Sequence, residues 1–109
     1  MSIRWQFATG LCAASFALAV PVAAARADPD DGEKLARRWC AGCHLVAPDQ
    51  QRATTDAPPF VTIARRPGFS SDRLAFFLLA PHPKMPDMGL SRSEATDLAD
   101  YIAKLGAKP

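Results

Sequence analysis

The sequence predicts a small all-α domain, and three observations carry that reading. Capped stretches with apolar residues at helical spacing recur at Gly32 to Ala41, Leu74 to Leu79 and Leu90 to Leu105. No stretch alternates polar and apolar residues as a half-buried strand does. The chemically distinctive side chains crowd into one segment, Cys40-Ala41-Gly42-Cys43-His44. That spacing is the attachment sequence of a c-type haem. Three to four helices wrapped around one covalently bound haem is the architecture expected.

The motif has a geometric logic. On a short helical turn Cys40 and Cys43 come round to one side, where each thiol can form a thioether with a haem vinyl group. His44, held by the second thioether, then presents a ring nitrogen to the iron. Other readings fit less of the chain. A thioredoxin-like dithiol also reads Cys-x-x-Cys, but beside a βαβ pattern that these flanks lack. A structural zinc site needs four ligands, and Cys40, Cys43, His44 and His82 supply that number. His44 abuts Cys43, however, whereas tetrahedral sites separate their ligand pairs with a spacer. The remaining alternative is a chance match of five residues.

The first element in the chain is a leader. Met1 to Gln6 carries Arg4 and no acid, Phe7 to Ala25 is almost wholly apolar or small, and Ala25-Arg26-Ala27 has the small-x-small form of a leader-peptidase site. The expected division is residues 1–27 as a signal peptide and 28–109 as one domain. An uncleaved membrane anchor is the alternative, which Pro21 and the small-residue exit disfavour. After cleavage no other stretch is apolar and long enough to span a bilayer. Cys12 follows Leu11, not a small residue, so it sits in the leader core and not at a lipoprotein site. The mature chain then keeps only Cys40 and Cys43, as suits export to an oxidising periplasm. Loss of Arg4 and Arg26 from the 13 basic residues leaves them balanced against 11 acids, all beyond Ala27. A general basic field for nucleic acid is absent. So small a domain has little core to spare, and a buried porphyrin would complete it.

Asp28-Pro29-Asp30-Asp31 offers caps and negative charge at a helix start. Gly32 to Ala41 reads as the helix that delivers Cys40, with Leu35, Ala36 and Trp39 as its apolar stripe and Trp39 packed in the core or at the haem edge. Pro48 to Asp56 is polar and aperiodic, an exposed loop that Pro58-Pro59 ends in extended form. A short helix is expected over Phe60 to Arg65, followed by an Arg65-Arg66 patch open to solvent, propionate or partner. Ser70-Ser71-Asp72 caps the run Leu74, Phe76, Phe77, Leu78 and Leu79, which Pro81 stops. That run must face a large apolar body, either haem or another helix. Ser91 to Glu94 forms a capping box opening the last helix. Its apolar face is Ala95, Leu98, Ala99, Ile102 and Leu105, with Tyr101 on the flank and Gly106 at the stop.

Between these helices, Pro81-His82-Pro83-Lys84-Met85-Pro86-Asp87-Met88 is stiffened by its prolines. Stiffness suits a weak axial ligand, since a thioether holds iron poorly unless it is preorganised. Apart from Met1, both methionines lie here, which is unlike their use as core filler. Met85, Met88 and His82 all stand as candidates for the distal position.

Taken together, the residues from Asp28 to Lys104 resemble the small class I cytochrome c family of bacterial periplasms. The resemblance rests on Gly32 ahead of Cys40, the haem motif, Met85-Pro86, and Leu98-x-x-Tyr101. It implies the small cytochrome c fold, with Gly32 letting the first helix cross the last against Leu98 and Tyr101. It implies that the Pro58 carbonyl accepts the other N–H of His44. It also implies Met85 as the distal ligand, by its distance from Tyr101, with Met88, His82 or an open site as alternatives. The short, lysine-poor surface departs from the larger cytochromes, so docking rules from basic relatives do not carry over.

Histidine and methionine ligation would leave the iron coordinatively full, and single electrons would be its only traffic. The expectation is a periplasmic electron carrier with one haem c, monomeric, not an enzyme, serving transient redox partner proteins. Alternatives are a dedicated haem subunit of a periplasmic dehydrogenase and a ligand-binding haem protein with an open sixth site.

Overall fold

The computed structural model describes residue 21 and residues 23–80 and 83–109. The expectations for the apolar leader, Cys12, Pro81 and His82 lie outside the described residues. Four helices, and no strand among the described residues, make up the fold: α1 (Pro29–Leu35), α2 (Phe60–Ala64), α3 (Ser71–Leu78) and α4 (Arg92–Ala107). The small all-α architecture expected from the sequence is the one observed.

α1 begins at its first opportunity. The Asp28 side chain accepts from the backbone N–H groups of Asp30 and Asp31, and Pro29 occupies the first helical position, where a missing N–H is harmless. The helix continues over Ala36–Cys40 as a π-helical turn, closed by Ala41 N–H donating to the Ala36 carbonyl at 3.1 Å. In this wider winding each residue turns through a smaller angle. Cys40 therefore comes back over buried Ala36, while Trp39 falls short and faces outward. Trp39 is 50% exposed instead of in the core, and the Arg38 guanidinium covers its ring at 4.9 Å. The expected α-helical stripe fails at that residue because the helix is not α there.

α4 is the spine, packed by α1, α2 and α3. Its capping box is complete: Ser91 Oγ accepts from Glu94 N–H at 3.2 Å, and Glu94 Oε2 accepts from Ser91 N–H at 2.8 Å. Leu98 and Ile102 are fully buried, and side chains of this size each stabilise the fold by about 1.5–3 kcal/mol. Tyr101 lies in the core and not on the flank, being 3% exposed. Its hydroxyl donates to the Val46 carbonyl at 2.8 Å, which makes burial of the phenol tolerable.

Two glycines set the crossings of α4. A Cβ on Gly32 would strike the Asp97 carbonyl and lie 2.8 Å from Tyr101 Cβ, so α1 can approach α4 only without one. A Cβ on Gly106 would lie 2.6 Å from Ala64 Cβ on α2. Gly106 was expected to stop the helix, yet α4 runs through it to Ala107. Its role is close contact and not termination.

α3 starts at Ser70, whose hydroxyl accepts from Arg73 N–H at 3.4 Å. Leu78 is buried and Leu74 and Leu79 pack on the core, whereas Phe76 is 77% exposed. The apolar run thus serves two sides of one helix.

Candidate functional site

The site grows out of the end of the π turn. Cys43 N–H and His44 N–H both donate to the Cys40 carbonyl, at 3.1 and 2.9 Å, which folds the motif back over its first residue. Cys40 is buried, Cys43 is exposed and His44 is half-buried. Burial pushes the Cys40 thiol up to about 11, the nearby Cys43 adding to the effect. In the haem-free chain it is a protonated thiol at neutral pH. A dithiol exchanger works through a thiolate with a lowered pKa, so this environment is wrong for that chemistry.

The loop that follows holds the motif by its carbonyls. Gln50 Nε2 lies within hydrogen-bonding distance of the carbonyls of Ala41 (2.8 Å), His44 (2.9 Å) and Arg52 (2.9 Å), and its Oε1 accepts from Val46 N–H at 2.9 Å. Thr54 N–H donates to the Gly42 carbonyl at 2.9 Å, and its hydroxyl reaches the same oxygen. Thr55 Oγ1 donates to the Cys43 carbonyl at 2.9 Å. Every carbonyl from Ala41 to His44 therefore has a partner in residues 50–55. Reasoning from sequence missed these residues, reading the stretch only as an exposed polar loop. The one available signal was the pairing of Gln50 with Thr54-Thr55 just after the motif.

Pro58 and Pro59 return the chain in extended form, with Pro59 at φ −55° and ψ 145° immediately before α2. The Pro58 carbonyl lies 2.7 Å from His44 Nδ1. A carbonyl only accepts, so Nδ1 carries the proton, and a neutral ring then leaves its lone pair on Nε2. The Phe60 ring braces the imidazole with centroids 5.2 Å apart, and Phe60 N–H donates to the Leu45 carbonyl at 2.9 Å.

These elements enclose a cavity of about 700 Å³, within the range of small-molecule and cofactor sites. Cys40, Cys43, His44 and Pro58 line it together with Met85 from the loop before α4. Met88 is half-buried but does not line it, and His82 lies outside the described residues. Phe60, Leu74, Phe77, Leu78 and Ile102 give the walls an apolar character, and Arg66, Lys84 and Asp56 supply charge. Two thiols and an imidazole on one segment, with an apolar chamber beside them, fit a covalently held porphyrin. Among the described residues no three His, Cys, Asp or Glu side chains are grouped to hold a bare metal ion.

Residues 27–102 match the family model described as cytochrome C oxidase, cbb3-type, subunit III. The chain belongs to the class I cytochrome c family. It is 52% identical over 96 residues to cytochrome c-552 of Bradyrhizobium diazoefficiens, covering 88% of this chain and 92% of that one. No solved structure matches it. This cytochrome accordingly carries a covalently attached haem c, and its family is one of electron carriers, generally without enzymatic activity. No helix among the described residues is long and apolar enough to cross a membrane.

Proposed function

We propose that this cytochrome is a periplasmic carrier of single electrons whose haem is attached through Cys40 and Cys43 and ligated by His44 and Met85. The observation that carries the reading is the shared cavity: thiols, imidazole and a thioether line one apolar chamber, and His44 Nδ1 is held by the Pro58 carbonyl. When bound, the haem iron supplies reversible ferrous–ferric chemistry. His44, with Nδ1 held by the Pro58 carbonyl, would offer Nε2 to the iron, and that carbonyl orients the ring and raises its basicity. Met85 is a soft, weak donor and favours the reduced state relative to a second histidine. The apolar walls exclude water and disfavour added charge, which acts in the same direction. Exposed Cys43 marks the side nearest solvent, where redox partner proteins approach through a small transient interface. Residues 1–27 are removed on export, and the mature chain from Asp28 acts as a monomer.

The test is the absorption spectrum of purified protein, oxidised and reduced. A low-spin spectrum with the weak far-red sulfur-to-iron band is expected. Met85→Ala should keep the covalent haem, lose that band and lower the potential; an unchanged spectrum and potential would refute the assignment. A second reading, a resident haem subunit of a larger redox complex, draws on the exposed Phe76 and on the oxidase-subunit description of the matching family. Stoichiometric co-purification with a catalytic subunit would favour it over the free carrier.

A further inference from the structure

The start of α1 holds a contact that the haem site does not use. Asp28 N–H donates to Asp97 Oδ1 on α4 at 2.7 Å, across 69 positions of sequence. This is the residue that becomes the first of the mature chain if the leader is cut after Ala27. We propose that cleavage of the Ala27–Asp28 bond creates an ammonium–carboxylate ion pair between the new α-amino group and Asp97, locking α1 onto α4 in the mature cytochrome. The inference rests on the leader reading and adds to it a structural consequence of processing.

The chemistry balances simply. Hydrolysis breaks the Ala27 carbonyl carbon–Asp28 nitrogen bond. Water gives its hydroxyl to the Ala27 carbon and a proton to the Asp28 nitrogen, and the Ala27 acid ionises. The amine takes a further proton from solvent and becomes an ammonium near neutral pH. The neutral N–H···carboxylate bond thereby becomes a charge-assisted one at the same site.

The surroundings decide whether an ammonium is welcome. On α1 it meets the positive end of the helix, which is unfavourable, but also the carboxylates of Asp28, Asp30 and Asp31. From α4 it faces Asp97. Lys104, about two turns further along α4, is already engaged with Asp30 at 3.1 Å. Glu94, on the preceding turn, is committed to its capping box. Lys34 on α1 is paired with Asp31 at 2.6 Å, so the carboxylates of Asp28, Asp30, Asp31 and Asp97 outnumber the cations Lys34 and Lys104, each of which already has a partner. Asp97 also contributes the carbonyl that Gly32 packs against, so the pair sits at the crossing of the two helices.

The experiment uses holoprotein produced with its own leader. Its intact mass should place the first residue at Asp28; another N-terminus would overturn both the processing reading and the ion pair. The α-amine is then labelled by reductive methylation with ¹³C-formaldehyde, and its titration followed by NMR in wild type and Asp97→Asn. Asparagine keeps an oxygen acceptor and removes only the charge. The wild-type midpoint should lie at least about half a pH unit above that of the variant. Equal midpoints with the correct mass would overturn the ion pair while leaving the leader reading intact. If Asp97→Asn yields no holoprotein, the same amine in urea-unfolded wild type serves as reference, and no upward shift on folding overturns the proposal. With a raised midpoint, the contribution is fully present below the unfolded value, about 7.7–8.0, and lost as pH rises through the folded one.

Discussion

Replacing Gln50 by alanine is the sharpest test of how the haem motif is held. The side chain is half-buried and meets three carbonyls and one N–H, two of them on Ala41 and His44 within or beside the motif. A hydrogen bond of this kind contributes about 0.5–1.5 kcal/mol net, and a buried group left unpaired costs about 1–3 kcal/mol. The Arg52 carbonyl is exposed and water will replace that partner, whereas Val46 is fully buried and its N–H will be orphaned. The expected loss is therefore roughly 2–4 kcal/mol, equivalent to a fall in Tm of at least about 8 °C for a domain of this size. Denaturant unfolding of the holoprotein, followed by far-UV circular dichroism, measures it. Gln50→Glu is the discriminating companion. It keeps the acceptor for Val46 N–H but turns a carboxylate toward carbonyl oxygens, so at neutral pH it should be no more stable than the alanine variant. A loss below about 0.5 kcal/mol for alanine, or wild-type stability for glutamate, would refute the view that this amide organises the site.

Gly32→Ala should destabilise the holoprotein by about 1–3 kcal/mol through overpacking, despite alanine's better helix propensity, and a Tm at or above wild type would sink the close-crossing argument. Acid unfolding should depend on Asp49 and Glu94. Hydrogen bonding from Arg37 holds the Asp49 carboxyl below its usual range, and Ser91 does the same for Glu94. Their contribution is present above the unfolded carboxylate value, about 4, and is lost as pH falls through the lower folded values. The stability gap between wild type and an Asp49→Asn, Glu94→Gln double variant should thus close on acidification, and a gap constant with pH would contradict the assignment. Haem-free chain, prepared with both motif cysteines replaced by alanine, should lack cooperative thermal unfolding, because a chamber of about 700 Å³ is left without its filling. A sharp transition in that chain would show that the helices form a sufficient core alone.

Short-range features were legible in the sequence. The Asp28 cap, the Ser91–Glu94 box and the helical stripes all depend on residues within a few positions of one another, as does the haem motif itself. Trp39 escaped because one π turn, which no residue pattern announces, rotates it outward. Tyr101 escaped because its burial depends on a carbonyl 55 positions away. Gln50 looked like any polar loop residue, since its partners lie on backbone atoms that carry no sequence signal.

By itself, then, the amino-acid sequence determined that this is an all-α cytochrome c carrying one covalently attached haem, because attachment chemistry and helix signals are local. Only the tertiary structure decided that Cys40, Cys43, His44, Pro58 and Met85 share one chamber. It also decided that Gly106 serves an approach to α2 instead of a helix stop, and that Asp97 meets Asp28 at the start of α1. Those outcomes are set by where α4 crosses its neighbours, and crossing points are fixed by packing among residues far apart in the chain.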